Sequence, residues 1–413
     1  MSLSAGNLPP DGRLLFVTRF IRLFAYGALS VILVFYLTAI GLSPSQVGTL
    51  LTLTLVGDTI VSLAITTHAD RIGRRRMLVA GSLLMLAAGL AFASTRNFLF
   101  LVIAGTIGVI SPSGNEVGPF LSIEQAALSQ VVTGARRTSA FAWYTMAGSF
   151  ATALGSLCGG GLSALADRGP SDPAGGYRAV VLLYAVLGLV LALVFTRLSR
   201  HAEAAPAESG ADPVSSKSLL GIGRSRAVIV KLSGLFALDA FGGGFVVQSF
   251  AAYWFYLRWG VNPSELGSIF FGANVFAGLS ALLASRLAAR FGLVRTMVYT
   301  HLPSNILLIL VPLMPTLPLA IAVMLLRFSI SQMDVPTRQS YVMAVVQPGE
   351  RSAAAGITGV ARTVGASIPP VFAGMLFSQP SLIDYPFFIA GVVKILYDLL
   401  LYRQFVAVRP PEE

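Results

Sequence analysis

Apolar runs long enough to cross a bilayer recur from one end of this chain to the other, and no other feature constrains the fold as strongly. Eighteen or more apolar residues with few charges make the length of a transmembrane helix. Lipid offers no partner to backbone N–H and C=O groups, so only structures that satisfy their own backbone can cross it. The alternating pattern of a membrane barrel is absent, which leaves helices. Runs between charged and turn-forming residues predict spans at 14–40, 45–68, 77–95, 98–130, 139–165, 178–198, 227–257, 264–286, 293–314, 317–345, 353–378 and 383–406. The expected fold is therefore an all-α polytopic membrane protein with twelve transmembrane helices. The fourth and tenth runs are over-long, and Pro112, Pro119 and Pro336 are the expected causes of a tilt or bend.

Composition agrees. The chain is 55% hydrophobic and 11% charged, where soluble domains carry about 25% charged residues; its mean hydropathy is +0.77. The net charge of +11 would suit nucleic acid only if the basic residues shared one face. They gather instead in the loops after the even-numbered spans: Arg71, Arg74, Arg75 and Arg76; Arg136 and Arg137; Arg197, Arg200, Lys217, Arg224 and Arg226; Arg286, Arg290 and Arg295; and Arg351. The opposite loops hold Arg96, Arg168, Arg178 and Arg258. By the positive-inside rule both termini and the central linker are cytoplasmic, and a plasma membrane, here the cytoplasmic membrane of a bacterium, is the expected location. The N-terminal residues lack a small-residue cleavage site, so the first apolar run is read as a retained helix. One cysteine, Cys158, excludes a disulfide framework. His68, His201 and His301 have no ligand spacing, and no Ser/His pair or metal pattern appears. No enzyme activity, metal or cofactor is expected.

The chain also repeats itself. "GLSPSQVGTL" (41–50) and "GVNPSELGSI" (260–269) match at an offset of 219 residues. "EQAALSQVVTGARRTSA" (124–140) and "RQSYVMAVVQPGERSAA" (338–354) match at an offset of 214. Between the copies lies a stretch rich in Ala, Pro, Ser, Gly and charge, a linker by composition. The expected organisation is a six-helix bundle over 1–199, a linker over 200–225 and a second six-helix bundle over 226–413. Parallel repeats of this kind are a transporter signature.

The loop after the second span reads "TTHADRIGRRRML". With six helices on either side of a linker, its Asp70, Arg71, Gly73, Arg74 and Arg75 resemble the signature loop of the major facilitator superfamily. Thr66 stands where the family pattern begins with glycine, and the second-half copy, "ARFGLVR", keeps Arg290 and Gly292 but loses the acid. Gly73 suits a tight reversal, and the charges suit a latch between neighbouring helix ends. The resemblance implies two pseudo-symmetric six-helix bundles around a central cavity lined by helices 1, 4, 7 and 10. "GSLCGG" (155–160) further resembles the fifth-helix glycine motif of drug/proton antiporters, with Ser156 in place of proline; close helix packing explains such small residues equally well. The arginine those antiporters carry early in helix 4 is missing from "NFLFLVIAGTIGVISPSG".

Six acids and six bases fall inside the predicted spans: Arg19, Arg22, Asp58, Glu116, Glu124, Asp239, Arg327, Asp334, Arg338, Arg362, Lys394 and Asp398. Each costs at least ~2.5–3.5 kcal/mol at mid-membrane, so they are expected to pair or to line a wet cavity. Arg327, Ser331, Asp334, Arg338 and Tyr341 share one helical face within about 60°. Helix 1 carries a comparable stripe of Arg19, Arg22, Tyr26 and Ser30. The 214-residue offset gives helix 4 a matching face of Ser113, Val117, Phe120 and Glu124 and makes Glu124 the counterpart of Arg338. Expected pairs are Arg19 or Arg22 with Asp58, Arg362 with Asp334 or Asp239, and Glu124 with Arg338 as a gate. Asp239, Asp334 and Glu116 are the candidate proton carriers. Asp239 precedes "FGGGF" (241–245), where three glycines permit a bend, and Gln248, Tyr253 and Trp254 add polar and aromatic surface beyond it.

These readings predict a secondary active transporter that moves a small organic solute by alternating access, coupled to protons and directed towards efflux. No Walker motif is present to use ATP directly. Uptake or exchange of an anionic metabolite is the second reading, because arginine suits carboxylate and phosphate. A lipid flippase is the third. The expected partners are a small-molecule substrate, protons and the lipid bilayer, with no nucleic acid, and the expected state is a monomer.

Overall fold

Where the helices stop follows from a few residues used twice. Gly41 and Gly260, at equivalent positions of the repeat, have φ of +104° and +69° and close the first loop of each copy. Two residues on, the next helix is capped by the same device. Ser43 and Gln46 form a reciprocal capping box, and Asn262 and Glu265 exchange the corresponding bonds at 3.1 and 3.0 Å. Gly73 and Gly292, with φ of +113° and +84°, make the following reversal in both copies. The sequence repeat is thus a repeat of turn chemistry.

The computed structural model describes residues 9–115, 120–131, 134–167, 169–199, 202–203, 225–347 and 350–407. Sixteen α-helical pieces cover them: α1 Pro10–Ala39, α2 Pro44–Ile72, α3 Arg74–Ser94, α4 Phe98–Ile107, α5 Phe120–Val131, α6 Gly134–Leu165, α7 Gly175–Phe195, α8 Arg226–Gly244, α9 Gln248–Trp259, α10 Pro263–Phe291, α11 Leu293–Leu310, α12 Leu317–Ser331, α13 Asp334–Val345, α14 Arg351–Ser367, α15 Pro369–Phe377 and α16 Tyr385–Phe405. No strand occurs among the described residues. Among the described residues ten helical segments are long and apolar enough to cross a membrane. The chain is an all-α polytopic membrane protein. Its pieces group into twelve spans because four of them are interrupted: α4/α5, α8/α9, α12/α13 and α14/α15.

The interruption of the fourth span corrects the expected continuous helix. Residues 108–115 leave the helix after Ile107, so Ser113 shares no helical face with Phe120 and Glu124. Side chains from other helices take up the freed carbonyls. Ser249 donates through its N–H (3.1 Å) and its hydroxyl (2.5 Å) to Pro112 O. Thr152 donates to Gly114 O at 3.2 Å, and Tyr184 donates to Val109 O. Non-helical backbone at membrane depth survives only where it is satisfied in this way. In the tenth span the break falls at Gln332–Met333. Pro336 lies in the first turn of α13, and its ring would clash with the carbonyl of Gln332 in an unbroken helix.

The chain forms two compact units. The first comprises Met1–Ala205, Val247–Val275 and Pro370–Ile383; the second comprises Pro206–Val246, Phe276–Pro369 and Asp384–Glu413. Within the first unit the repeated glycines meet crosswise. A Cβ at Gly48 would lie 2.9 Å from Gly374 Cα, and one at Gly267 would lie 2.7 Å from Ser156 O and 3.2 Å from Gly160 Cα. Gly155 and Gly159 bring α6 onto the backbone of Phe24 and Ala28 in α1. The glycines of "GSLCGG" are packing residues, and backbone contact at these crossings is what small residues allow between membrane helices.

Candidate functional site

In the first unit α1 and α5 bring two buried charges together. Arg22 holds Glu124 through a two-pronged pair, Nη1 to Oε1 and Nη2 to Oε2, both at 2.8 Å and both side chains fully buried. Thr18 donates to Glu124 Oε1 at 2.8 Å, and Tyr144 donates to Oε2. Every acceptor direction of the carboxylate is thereby used. Arg19 donates from Nε to Tyr144 O at 2.7 Å and lies 4.3 Å from the ring centre of the same tyrosine. Tyr26 is buried against Tyr184, ring centres 6.3 Å apart. Asp58 is buried, with Ser62 Oγ at 3.4 Å. The partner of Glu124 is thus Arg22, where the repeat pointed to Arg338. Gln248 donates to Ser30 Oγ at 2.8 Å and Ser156 Oγ at 3.1 Å and accepts from Asn274 at 3.1 Å.

In the second unit five helices converge on Asp239 of α8. Lys394 of α16 donates to Oδ1 at 2.6 Å, and Arg338 of α13 donates to Oδ2 at 3.1 Å. His301 Nε2 of α11 lies 3.6 Å from Oδ1, and Arg362 Nη1 of α14 lies 3.9 Å from Oδ2. Arg338 also pairs with Asp334 one turn back, at 3.0 Å. His301 turns its other nitrogen, Nδ1, to Asp398 Oδ1 at 2.8 Å, and Asn305 donates to Asp398 Oδ2 at 2.8 Å. Asp239, Asp334, Asp398, Arg338, Lys394 and His301 are all buried. Arg327, near the end of α12, keeps a buried Nε with no hydrogen-bond acceptor.

Both charge groups are built on residues the spans made conspicuous; Thr18 and Tyr144 of the first group were not among them, nor, in the second, were His301 and Asn305. Those two carry a signal in retrospect: they stand four apart on α11, as Lys394 and Asp398 do on α16, which puts each pair on one helical face. Glu116 and the side chains of Asp70 and Arg71 lie outside the described residues. Of the signature loop, Arg74 and Arg75 offer their backbone N–H groups to Glu203 at 2.6 and 3.2 Å, at the start of α3. Arg75 also donates to Leu198 O at 3.3 Å and Arg74 to Ala202 O at 3.4 Å. An acid at a helix N-terminus is favourably placed, and Glu203 is a partner the sequence reading lacked.

The repeat, the twelve spans and the signature loop have a common explanation. The Major Facilitator Superfamily model matches residues 15–258 and 232–413. The chain belongs to that superfamily. As a major facilitator it is a membrane transporter built for alternating access, and not an enzyme. It is 31% identical over 424 residues to an uncharacterized membrane protein of Saccharomyces cerevisiae, an alignment covering 96% of this chain and 94% of the relative. Its fold is similar to that of the nucleoside transporter NupG (TM-score 0.75, 12% identity, 96% of this chain and 100% of the other). It is also similar to the xylose transporter XylE from E. coli (0.72, 15%, 97% and 98%). A bacterial homolog of the human lysosomal transporter Spinster shares the fold as well (0.71, 16%, 95% and 94%).

Proposed function

We propose that this major facilitator is a proton-coupled secondary transporter of a small organic solute, with the Asp239–His301–Asp398 chain as its coupling site. The observation that carries the reading is His301 standing between two carboxylates of different helices, Asp239 on α8 and Asp398 on α16. An unprotonated imidazole nitrogen and an ionised carboxylate are both acceptors, so 2.8 Å between Nδ1 and Asp398 Oδ1 fits a proton between them, on Nδ1 or on the carboxyl. A second proton on Nε2 would face Asp239, and its presence or absence changes how strongly α11 is tied to α8. Asp239, gripped by Lys394 and Arg338, acts as counter-ion more than as carrier. The groups that face this chain are Lys394 and Tyr397 on α16, Arg338 and Asp334 on α13, Arg362 on α14 and Asn305 on α11 itself.

In this reading the two repeats are the moving halves, both termini face the cytoplasm, the membrane is the cell's cytoplasmic membrane, and the working unit is a monomer. The glycines that suggested drug efflux are accounted for by packing, so the proposal rests on the charge cluster and leaves the antiporter branch aside. Transport of a compound found by thermal-shift screening tests it in proteoliposomes. An imposed pH gradient should drive concentrative transport, an uncoupler should abolish it, and counterflow exchange should persist. His301→Gln should lose the gradient-driven component and keep exchange; equal loss of both, or loss of neither, would refute the coupling role.

A further inference from the structure

Two helix breaks in the first unit, one from each repeat, satisfy each other. The fourth span unwinds at residues 108–115, which frees the carbonyl of Pro112 from helical bonding. The seventh span breaks before α9, which leaves the N–H groups of its first turn without partners in their own helix. Ser249 of that turn gives both its N–H, at 3.1 Å, and its hydroxyl, at 2.5 Å, to Pro112 O. Gln248 beside it uses both amide hydrogens on the first repeat, on Ser30 of α1 at 2.8 Å and Ser156 of α6 at 3.1 Å. Its oxygen accepts from Asn274 of α10 at 3.1 Å. Gly114, with φ of +70°, lets the unwound stretch come this close: a Cβ there would lie 3.0 Å from Ser30 Oγ and 3.5 Å from Gln248 Nε2.

The seam between the repeats continues towards the loops at Gly41 and Gly260. Phe35 packs against Tyr253 and Tyr256, ring centres 5.8 and 5.3 Å apart, and the N–H of Val371 donates to Thr52 at 3.0 Å. Ser45 and Ser378 share a hydrogen bond of 2.9 Å at the exposed rim. The first turn of α9 lies about 18 Å from Gly260 at 1.5 Å per residue, so the seam reaches deep into a hydrocarbon core of about 30 Å. None of these bonds involves a charged side chain.

We propose that the first turn of α9 is a latch that holds one state of the transport cycle closed, with Gln248 and Ser249 as its positioning residues and the unwound stretch 108–115 as the part they engage. Gln248, a substrate candidate by its place in the spans, has no amide hydrogen left to offer a solute in this state. Neutral hydrogen bonds suit a contact that must part, because water entering the seam replaces them on both sides. Irregular backbone is tolerated at membrane depth where protein buries it or where it lines a water-filled cavity. The stretch 108–115 therefore stays satisfied whether the seam is closed or open. A permanently closed seam would need neither break, since two continuous helices leave no such groups free. The latch is independent of the proton coupling proposed above.

Hydrogen exchange at the Ser249 amide reads the latch, because Pro112 O is the partner of that N–H. It is followed by mass spectrometry on the full chain in nanodiscs, with Ser45→Cys and Ser378→Cys in a Cys158→Ser background. The two serine hydroxyls are close enough for the cysteines to join as a disulfide across the rim. Oxidation should slow the exchange in the protein with an intact latch, and a reductant should restore it. With the pair reduced, Gln248→Leu and Ser249→Ala should each speed exchange about fivefold, the equilibrium weight of about one hydrogen bond. Gly114→Ala should act in the same direction, and oxidation should cancel all three gains. Size-exclusion profiles and thermal midpoints show whether the variants are folded, and the comparison of oxidised with reduced protein decides the point even where a variant is not. The latch is overturned if oxidation leaves the exchange of the intact protein unchanged, because the seam is then static. It is equally overturned if folded variants exchange as the parent does, or if their faster exchange survives oxidation, because α9 then frays on its own.

Discussion

Two buried charge groups lie in this molecule, one in each unit, and they are built on opposite principles. Around Glu124 every oxygen has its donor, the charges of Arg22 and Glu124 cancel, and neither side chain touches solvent. Around Asp239 one carboxylate serves several cations at distances from 2.6 to 3.9 Å, and some guanidinium nitrogens have no partner. The first group resembles a rivet between α1 and α5. The second is a set of competing contacts in which adding a proton or an anion changes who holds whom. Superfamily members alternate between states, so one would expect charge in them both to lock helices together and to re-pair. Here the two roles are separated.

The largest effect should come from breaking the closed group. Glu124→Gln removes the carboxylate that Arg22 grips at two points, and breaking a buried pair costs about 3–5 kcal/mol. Replacing both partners, Arg22→Leu with Glu124→Leu, should recover most of that loss, because the desolvation penalty of both charges disappears together. Thermal unfolding of the purified variants, compared as a double-mutant cycle, measures it. A Glu124→Gln protein as stable as the parent would show that the pair is no rivet and would dissolve the contrast.

Packing offers a second, smaller test, this time between tight and open glycines. In the first unit a Cβ at Gly48 or Gly160 would run into the backbone of the helix it crosses, so alanine at either should cost about 1–3 kcal/mol by overpacking. In the second unit Gly359 faces open space. Alanine there should be neutral or stabilise α14 by up to about 1 kcal/mol, the ordinary helix propensity gain. Equal losses at all three positions would mean that backbone contact does not set the cost of a Cβ here.

Much of this was legible in the sequence, and the limits of legibility are physical. Span length, the offset between repeats and the positive-φ glycines are local properties, and each appears where the residues put it. Of the predicted stripe, Asp334, Arg338 and Tyr341 are buried on α13, whereas Arg327 and Ser331 lie on α12 across the break and Arg327 is only half-buried. Partners were harder, because pairing depends on which helices pack together. Depth alone suggested Asp58 for Arg19 or Arg22, whereas α5 brings Glu124 within 2.8 Å of Arg22. The repeat suggested Glu124 for Arg338, whereas α8 supplies Asp239 at 3.1 Å. The unwound stretch after Ile107 was hidden for a related reason. Its carbonyls are satisfied by Thr152, Tyr184 and Ser249, far along the chain, and without those donors the helical reading of an apolar run is the better one. His301 was overlooked because a lone histidine in an apolar run carries no pattern until Asp239 and Asp398 are seen on either side of it.

The smallest expected effect discriminates most, because its sign differs between the two groups. Removing the charge of Arg22 from the closed group strands Glu124 and must destabilise. Removing the charge of Arg362 strands nothing, since Asp239 keeps Lys394 at 2.6 Å and Arg338 at 3.1 Å. It also takes one cation from beside Arg338 and Lys394, which relieves repulsion between them. Arg362→Gln should therefore leave stability within about 1 kcal/mol of the parent, or raise it slightly, because a partly exposed guanidinium 3.9 Å from its carboxylate adds little. Thermal unfolding at low and high salt measures this, and because Arg362 is partly exposed, any difference should shrink as salt rises. Transport should fall in the same variant. A protein that keeps an arginine where glutamine would fold as well or better retains it for something other than folding. A loss of several kcal/mol would make Arg362 one more structural partner of Asp239, and the distinction between a rivet and a working cluster would fail at the residue that defines it.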